Sequence, residues 1–231
     1  MADFNTHVFG AAGVASLSAT CATKLFALSM PEALVLMGVG IIGGVLPDID
    51  LGKSTPSKVL FSILGIAVAL IWLVANIERY SALELWLGTL VLFILVRFPV
   101  AEAFNRFTVH RGALHSLIAA VMVGSVTCAL AWQYLQASAL QSWLLGLSLS
   151  LGYIVHLALD ELYSVNFLGA SFKRSFGSAL KVFDIKRPMA SSLIVLIALA
   201  GFYWSAPIED SVQQISSVYT DWRTVLLPQW W

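Results

Sequence analysis

The chain has 231 residues, of which 59% are hydrophobic and 11% are charged, and its formal net charge at pH 7 is zero. Soluble domains carry about 25% charged residues, so this chain has too little polar surface to face water on all sides. The composition excludes a soluble globular protein. The sequence also has no block of like charges, so no nucleic-acid partner is expected.

Seven apolar segments come close to the roughly 20 residues that a helix needs to cross a bilayer. They cover residues 8–28, 31–46, 58–77, 82–98, 112–135, 141–159 and 189–206. The first two are the weakest, because one contains Lys24 and the other is short and rich in glycine. Pro31 and Pro188 stand at the starts of segments, where a missing N–H costs a helix least, and Pro99 stands just past the end of one. The sequence predicts an all-α, polytopic transmembrane helix bundle with about seven spans, and five at the least.

Residues 1–206 are predicted to form one transmembrane domain, and residues 207–231 an extracytoplasmic amphipathic tail. The first six residues contain Asp3 and no Lys or Arg, whereas a cleaved signal peptide needs a basic start. The first apolar segment is therefore predicted to be retained. Cys21 and Cys128 lie far apart in apolar runs, which is typical of buried free thiols.

The distribution of Lys and Arg predicts which ends of the spans face the cytoplasm. With seven alternating spans, the side of the N-terminus carries Lys53, Lys58, Arg97, Arg106, Arg111, Lys173, Arg174, Lys181, Lys186 and Arg187. The opposite side carries only Lys24, Arg79 and Arg223. This bias predicts a cytoplasmic N-terminus and an external C-terminus.

All four histidines and three aspartates fall at or near the cytoplasmic ends of these spans. They are His7, Asp48, Asp50, His110, His115, His156 and Asp160. His156 and Asp160 are four residues apart, so they share one face of a helix, and helical zinc motifs use the same spacing. His110 is expected in the loop before the fifth span, and His115 in its first helical turn.

A single histidine or aspartate at a membrane interface is usually a polar side chain that reaches water, but the whole set on one side favours a metal site. The aspartates also lie near helix C-termini and hydrocarbon, where an unpaired carboxylate is unfavourable. Mixed imidazole and carboxylate ligands suit zinc best, in a site of one to three ions, and manganese or iron next.

Four motifs in this order resemble a known family. They are Thr-His at residues 6–7, Leu-Pro-Asp-Ile-Asp at 46–50, His-Arg-Gly-x-x-His-Ser at 110–116 and Gly-Tyr-x-x-His-x-x-x-Asp at 152–160. Together they are similar to the YdjM-like family of bacterial inner-membrane, metal-dependent hydrolases, some of them described as LexA-regulated. That family is more remotely similar to zinc-dependent phospholipase C and P1-type nucleases. The resemblance covers about residues 6–187 and leaves out the last span and the tail.

The resemblance implies a multi-pass protein of the bacterial inner membrane, with a hydrolase site that faces the cytoplasm and binds metal through the seven histidines and aspartates. In metal-assisted hydrolysis, Asp48 and Asp50 would orient the attacking water or take its proton. Arg111 would bind an anionic oxygen of the substrate, and Ser116 would hold a ligand by a hydrogen bond. The expected partners are membrane lipids, with a lipid head group or another phosphoester as the substrate.

Two other interpretations use the same residues. A non-enzymatic transporter or metal-ion-handling protein would need polar residues along a path through the bilayer, and the spans carry few away from their cytoplasmic ends. A structural protein would use the polar cluster only to tie helices together. The sequence leaves open the oligomeric state and the choice among zinc, manganese and iron.

Overall fold

The computed structural model describes residues 3–50, 55–107, 112–166, 171–172 and 180–217. Its helices are α1 (Phe4–Phe26), α2 (Met30–Gly43), α3 (Thr55–Asn76), α4 (Ala82–Leu95), α5 (Ala101–Phe107), α6 (Leu117–Tyr134), α7 (Ala139–Leu162), α8 (Pro188–Trp204) and α9 (Ile208–Ser217). A 3-10 turn covers Leu46–Asp50, and a π-helical turn covers Val96–Val100. Two short strands, β1 (Val165–Asn166) and β2 (Ser171–Phe172), pair antiparallel.

In the described part of the chain, five helical stretches are long and apolar enough to cross a membrane. They are Phe4–Phe26, Ser57–Asn76, Ala82–Phe104, Leu117–Tyr134 and Ala139–Leu162. Met30–Gly43 and Pro188–Trp204 are shorter apolar helices. All seven predicted segments are therefore apolar helices, and the predicted all-α membrane bundle is confirmed.

The chain divides into two compact units. Unit 1 consists of Met1–Pro47 and Ala113–Trp231, and unit 2 of Asp48–Gly112. In unit 1, α7 packs against α1, α2 and α6, and α6 also packs against α8. The helix α7 is therefore the centre of this unit. The two cysteines, Cys21 and Cys128, are both free.

Glycine permits the close contact between α2 and α7. A Cβ atom at Gly152 would overlap the carbonyl oxygen of Gly40, and one at Gly43 would overlap the carbonyl oxygen of Leu149. Small residues of this kind let helix backbones approach each other in lipid. This close contact places the end of α2 beside the part of α7 that carries His156.

Unit 2 contains a helical hairpin, in which α3 packs against α4. Phe61, Val96 and Ala101 form its buried core. The expectation that this span ends before Pro99 is wrong, because Pro99 lies inside the π-helical turn and the helix continues as α5 to Phe107. A proline removes one backbone hydrogen bond and crowds the preceding turn, and a wider π-helical turn accommodates both effects without ending the helix.

Candidate metal centre

The first turn of α1 carries His7, of which only 1% is exposed. Asp3 caps this helix, because its carboxylate accepts a hydrogen bond from the Thr6 N–H at 2.7 Å. A hydrogen bond with the Thr6 side chain, followed by the one from the Thr6 N–H, lowers the pKa of the Asp3 carboxyl below its ordinary value. The carbonyl oxygen of Asp3 accepts from the His7 N–H at 3.2 Å. This cap therefore fixes the helical turn from which the His7 imidazole reaches the interior.

The C-terminal part of α7 carries His156 and Asp160, both with no exposed surface. The rings of His7 and His156 stack with their centroids 3.6 Å apart and 11° between their planes. His7 Nε2 lies 3.4 Å from Asp160 Oδ1. One potential ligand atom from each of the three residues lies within 4.8 Å of the other two. Atoms that bind one zinc at about 2.0–2.2 Å lie roughly 3–4 Å apart, so small side-chain movements would let all three bind one ion.

The carbonyl oxygen of Gly44, just after α2, lies 2.7 Å from His156 Nδ1. A carbonyl oxygen only accepts hydrogen bonds, so Nδ1 must be the donor and carry the ring proton. In the neutral ring Nε2 then keeps its lone pair, and neutral imidazole is the form in which histidine binds metals. Histidines that bind metals commonly have their other ring nitrogen bonded to a carbonyl or carboxylate oxygen. The Gly44 carbonyl therefore holds the His156 ring in an orientation that suits metal binding through Nε2.

Burial gives a second test of whether these residues fit a cation. His7 Nδ1 is buried and has no hydrogen-bond partner among the described residues. A buried polar atom of this kind is unfavourable unless something binds it. Asp160 brings a carboxylate into the same fully buried place, where a positive charge would stabilise it. Two imidazoles and one carboxylate also form a donor set typical of zinc and iron sites, so the three residues fit a metal ion.

The sequence profile of the family described as "YdjM inner membrane protein" matches residues 1–208 of the 231. The chain belongs to the YdjM inner membrane protein family. This confirms the predicted family and, together with the five candidate spans, a membrane protein. The YdjM match extends past residue 187 and includes α8, which the four motifs had left outside. No curated protein and no solved structure matches the chain.

The expectation that His115 lies in a first helical turn is wrong. His115 precedes Ser116, the N-cap of α6, whose backbone is extended at φ −148° and ψ 156°. Ser116 Oγ accepts from the Ala119 N–H at 3.3 Å and donates to the Ala113 carbonyl oxygen at 2.6 Å. Both described bonds of this hydroxyl therefore go to the backbone, and they fix the turn that carries His115.

His115 nevertheless lies near the other ligand candidates. It has no exposed surface, and its ring centroid is 5.9 Å from that of His156, with 72° between the planes. The Tyr153 hydroxyl donates to the carbonyl oxygen of Leu114, the residue before His115. The structure thus brings His7, His115, His156 and Asp160 together in unit 1.

Two other predicted residues, Asp48 and Asp50, belong to unit 2. Asp48 is buried, belongs to the 3-10 turn Leu46–Asp50 and directly follows Pro47, the last residue of the first part of unit 1. The backbone of Asp50 ends that turn, but its side chain lies outside the described residues, as do His110 and Arg111.

Three residues that support the candidate centre did not stand out in the sequence. Gly44 belongs to a glycine-rich run that indicated only close packing, and its carbonyl cannot be recognised from residue type. Asp3 indicated only that the first apolar segment lacks the basic start of a signal peptide, although Asp before an apolar run is also a helix N-cap signal. Tyr153 belongs to the fourth motif, yet nothing in its spacing predicts a bond to Leu114.

Proposed function

We propose that this protein is a membrane-bound, metal-dependent hydrolase whose centre includes His7, His156 and Asp160. The single observation that carries the metal site is the bond between His156 Nδ1 and the Gly44 carbonyl oxygen, because it orients the ring so that Nε2 is the nitrogen that can bind a metal within a buried group of candidate ligands. A cluster that only ties helices together would explain this bond, but it would not explain why the His7 imidazole and the Asp160 carboxylate are buried within reach of the same ion.

The proposed role of each residue follows from its chemistry. When bound, the metal supplies a Lewis acid that activates water and polarises the scissile group. His7 and His156 would hold it as neutral donors, and Asp160 would balance part of its charge. The helical cap at Ser116 would keep His115 within reach. We expect zinc first and manganese or iron next, because imidazole and carboxylate donors suit these ions.

Asp48 is also proposed to take part in the hydrolysis. Asp48 is the fourth residue after Gly44 in the sequence. In the proposed mechanism Asp48 and Asp50 orient the attacking water or take its proton. His110 would add a ligand and Arg111 would bind an anionic oxygen of the substrate.

The proposed substrate is a lipid head group or another phosphoester at the cytoplasmic surface of the inner membrane. The ten-to-three bias of basic residues supports this side, and all the candidate ligands belong to it on a seven-span topology. The remote resemblance to zinc-dependent phospholipase C favours a phosphoester over a carboxylic ester.

The first experiment measures metal in the full chain purified in detergent. We expect about one or more zinc, manganese or iron per chain in the wild type, and strongly reduced metal in His156→Ala and Asp160→Asn. The control is Asp210→Asn, which removes an exposed carboxylate in α9 and should keep the metal. A folded wild type that takes up no metal from a buffer containing all three ions would overturn the metal site.

The second experiment separates hydrolysis from the alternative of transport. Wild-type protein in vesicles is given phospholipid and phosphodiester probes together with the metal it binds. Hydrolysis that Asp160→Asn abolishes and Asp210→Asn preserves supports the proposal. Metal flux across the vesicle membrane without turnover of any probe supports a metal-ion handler instead.

A further inference from the structure

Unit 2 has a cavity of about 470 Å³ where the start of α3 meets the π-helical turn after α4. The residues around it include Ser57, Lys58, Phe61, Arg97, Phe98 and Glu102. We propose that this cavity binds the phosphate group of an anionic phospholipid. The proposal concerns residues of unit 2 alone and does not rest on the proposed hydrolase activity.

The charges around the cavity favour an anion. Lys58 and Arg97 bring two positive charges and Glu102 one negative charge. In the described part of the chain, neither cation forms an ion pair with a carboxylate. Lys58 is also the fourth residue of α3, so it lies in the first turn of the helix, where the backbone N–H groups favour negative charge.

The π-helical turn sets the position of Arg97. The turn covers Val96–Val100 and contains Pro99, and the Arg97 guanidinium carbon lies 5.1 Å from the centroid of the Phe98 ring. A cation held over an aromatic face loses less conformational freedom when it binds a ligand. Arg97 can therefore offer the donors of its guanidinium to phosphate oxygens from a restricted set of positions.

The surroundings of the cavity identify the source of the phosphate as a lipid. Phe98 is 57% exposed, and Ile94 and Leu95, one turn before it, are each 45% exposed. On α3, Val59 and Ile63 are exposed in the same way. These apolar surfaces belong to helices of a membrane protein, so acyl chains can cover them while the phosphate lies at the polar end. A free phosphate ion would gain nothing from such surfaces.

The test titrates the detergent-purified full chain and follows bound ligand by native mass spectrometry. The probes are phosphatidylglycerol, phosphatidylcholine with the same acyl chains, and inorganic phosphate. We expect the wild type to prefer phosphatidylglycerol over phosphatidylcholine. One basic residue near an anionic lipid contributes enough for about a fivefold change in affinity, so Lys58→Gln and Arg97→Gln should each weaken binding about fivefold, and both together about 30-fold.

The matched control is Arg79→Gln. Arg79 is also a cation over an adjacent aromatic ring, 5.7 Å from the centroid of Tyr80, but it lies in the connection at the other end of the α3–α4 hairpin. Its loss should leave the affinity for phosphatidylglycerol unchanged. Lys58→Arg, which keeps the charge, should retain binding and so show that a positive charge at this position is sufficient, while equal thermal unfolding of Lys58→Gln and the wild type would show that this variant is folded.

Several outcomes would overturn the proposal. Equal affinity of the double variant and the wild type for phosphatidylglycerol would show that the cavity is not the site, and so would an equal loss in Arg79→Gln. Binding of inorganic phosphate that displaces the lipid would show that the site takes free phosphate. Because Asp160→Asn leaves the cavity intact, it should keep lipid binding even where metal is lost, and this separates the proposal from that of the metal centre.

Discussion

His156 Nδ1 lies 2.7 Å from the carbonyl oxygen of Gly44, and this bond joins the end of α2 to the part of α7 that carries His156 and Asp160. It depends on the close approach of the two helices, which the glycines along their contact permit. The close packing of small residues therefore also fixes the orientation of a candidate metal ligand. Mutations in the contact should affect the metal centre without changing any ligand.

Gly152→Ala should weaken metal binding. The added Cβ would overlap the Gly40 carbonyl oxygen, so α2 and α7 must move apart and the Gly44 carbonyl must move from His156. Overpacking of this kind costs about 1–3 kcal/mol of stability, and loss of such a supporting bond typically lowers metal affinity about 10–100-fold. Thermal unfolding in detergent and metal titration measure the two effects.

Gly38→Ala is the control for that prediction. Gly38 lies on α2, but a Cβ there would meet nothing within 4 Å. Replacing a helical glycine by alanine then stabilises the helix by up to about 1 kcal/mol, and metal affinity should stay unchanged. If Gly38→Ala and Gly152→Ala lowered metal affinity equally, the link between helix contact and ligand would be wrong.

Removal of the α6 cap should also weaken metal binding at the candidate centre. Ser116→Ala deletes the hydroxyl that bonds to the backbone on both sides of the cap, which should destabilise the protein by about 1 kcal/mol. Because His115 precedes this cap, metal affinity should fall as well. Ser138→Ala removes the corresponding cap of α7 at the opposite end of that helix from His156, so it should lower stability while metal affinity remains. The same metal affinity in both variants would contradict a role for the cap in placing His115.

Metal binding should weaken at low pH, because the ionised Asp3 caps α1. Hydrogen bonds with the side chain and the backbone N–H of Thr6 lower the pKa of Asp3, so the ionised cap is favoured in the folded state. Its contribution is present above the pKa of the unfolded chain and is lost as the pH falls through the lower pKa of the folded state. Asp3→Ala should loosen His7 and weaken metal binding slightly at neutral pH.

Asn is a helix cap as good as Asp and does not titrate. Asp3→Asn should therefore keep metal affinity at neutral pH and remove the part of the acid dependence that Asp3 causes. Metal titrations at a series of pH values would compare the three proteins. An acid limb of the same size in Asp3→Asn and the wild type would show that groups other than Asp3 produce it.

The predicted topology is tested at the two ends of α8, the 17-residue helix Pro188–Trp204. A periplasm-dependent reporter fused after Lys186 should be inactive, and the same reporter fused after Pro207 or Trp231 should be active. Seven spans with a cytoplasmic N-terminus require this change of side. The same activity at Lys186 and Pro207 would mean that α8 does not cross and that the count of spans is lower.

The sequence by itself determined that this protein is surrounded by lipid and where its helices lie along the chain. Its scarcity of charge requires lipid, and each long apolar segment forms a helix because the bilayer offers the backbone no other hydrogen-bond partners. The spacing of His156 and Asp160 needed only the geometry of one helix, and both were predicted on the same helical face. These properties are local, so they can be derived from neighbouring residues.

Only the tertiary structure decided how residues distant in sequence meet. The stacking of His7 on His156 and the bond of His156 to Gly44 depend on how α1, α2 and α7 pack. Two features also differ from the prediction: the π-helical turn at Pro99 and the position of His115 before its helix. The local sequence around a proline or a serine is compatible with more than one backbone conformation. Packing against other elements selects one solution, and in unit 1 that packing brings three ligand candidates from two helices within reach of one ion.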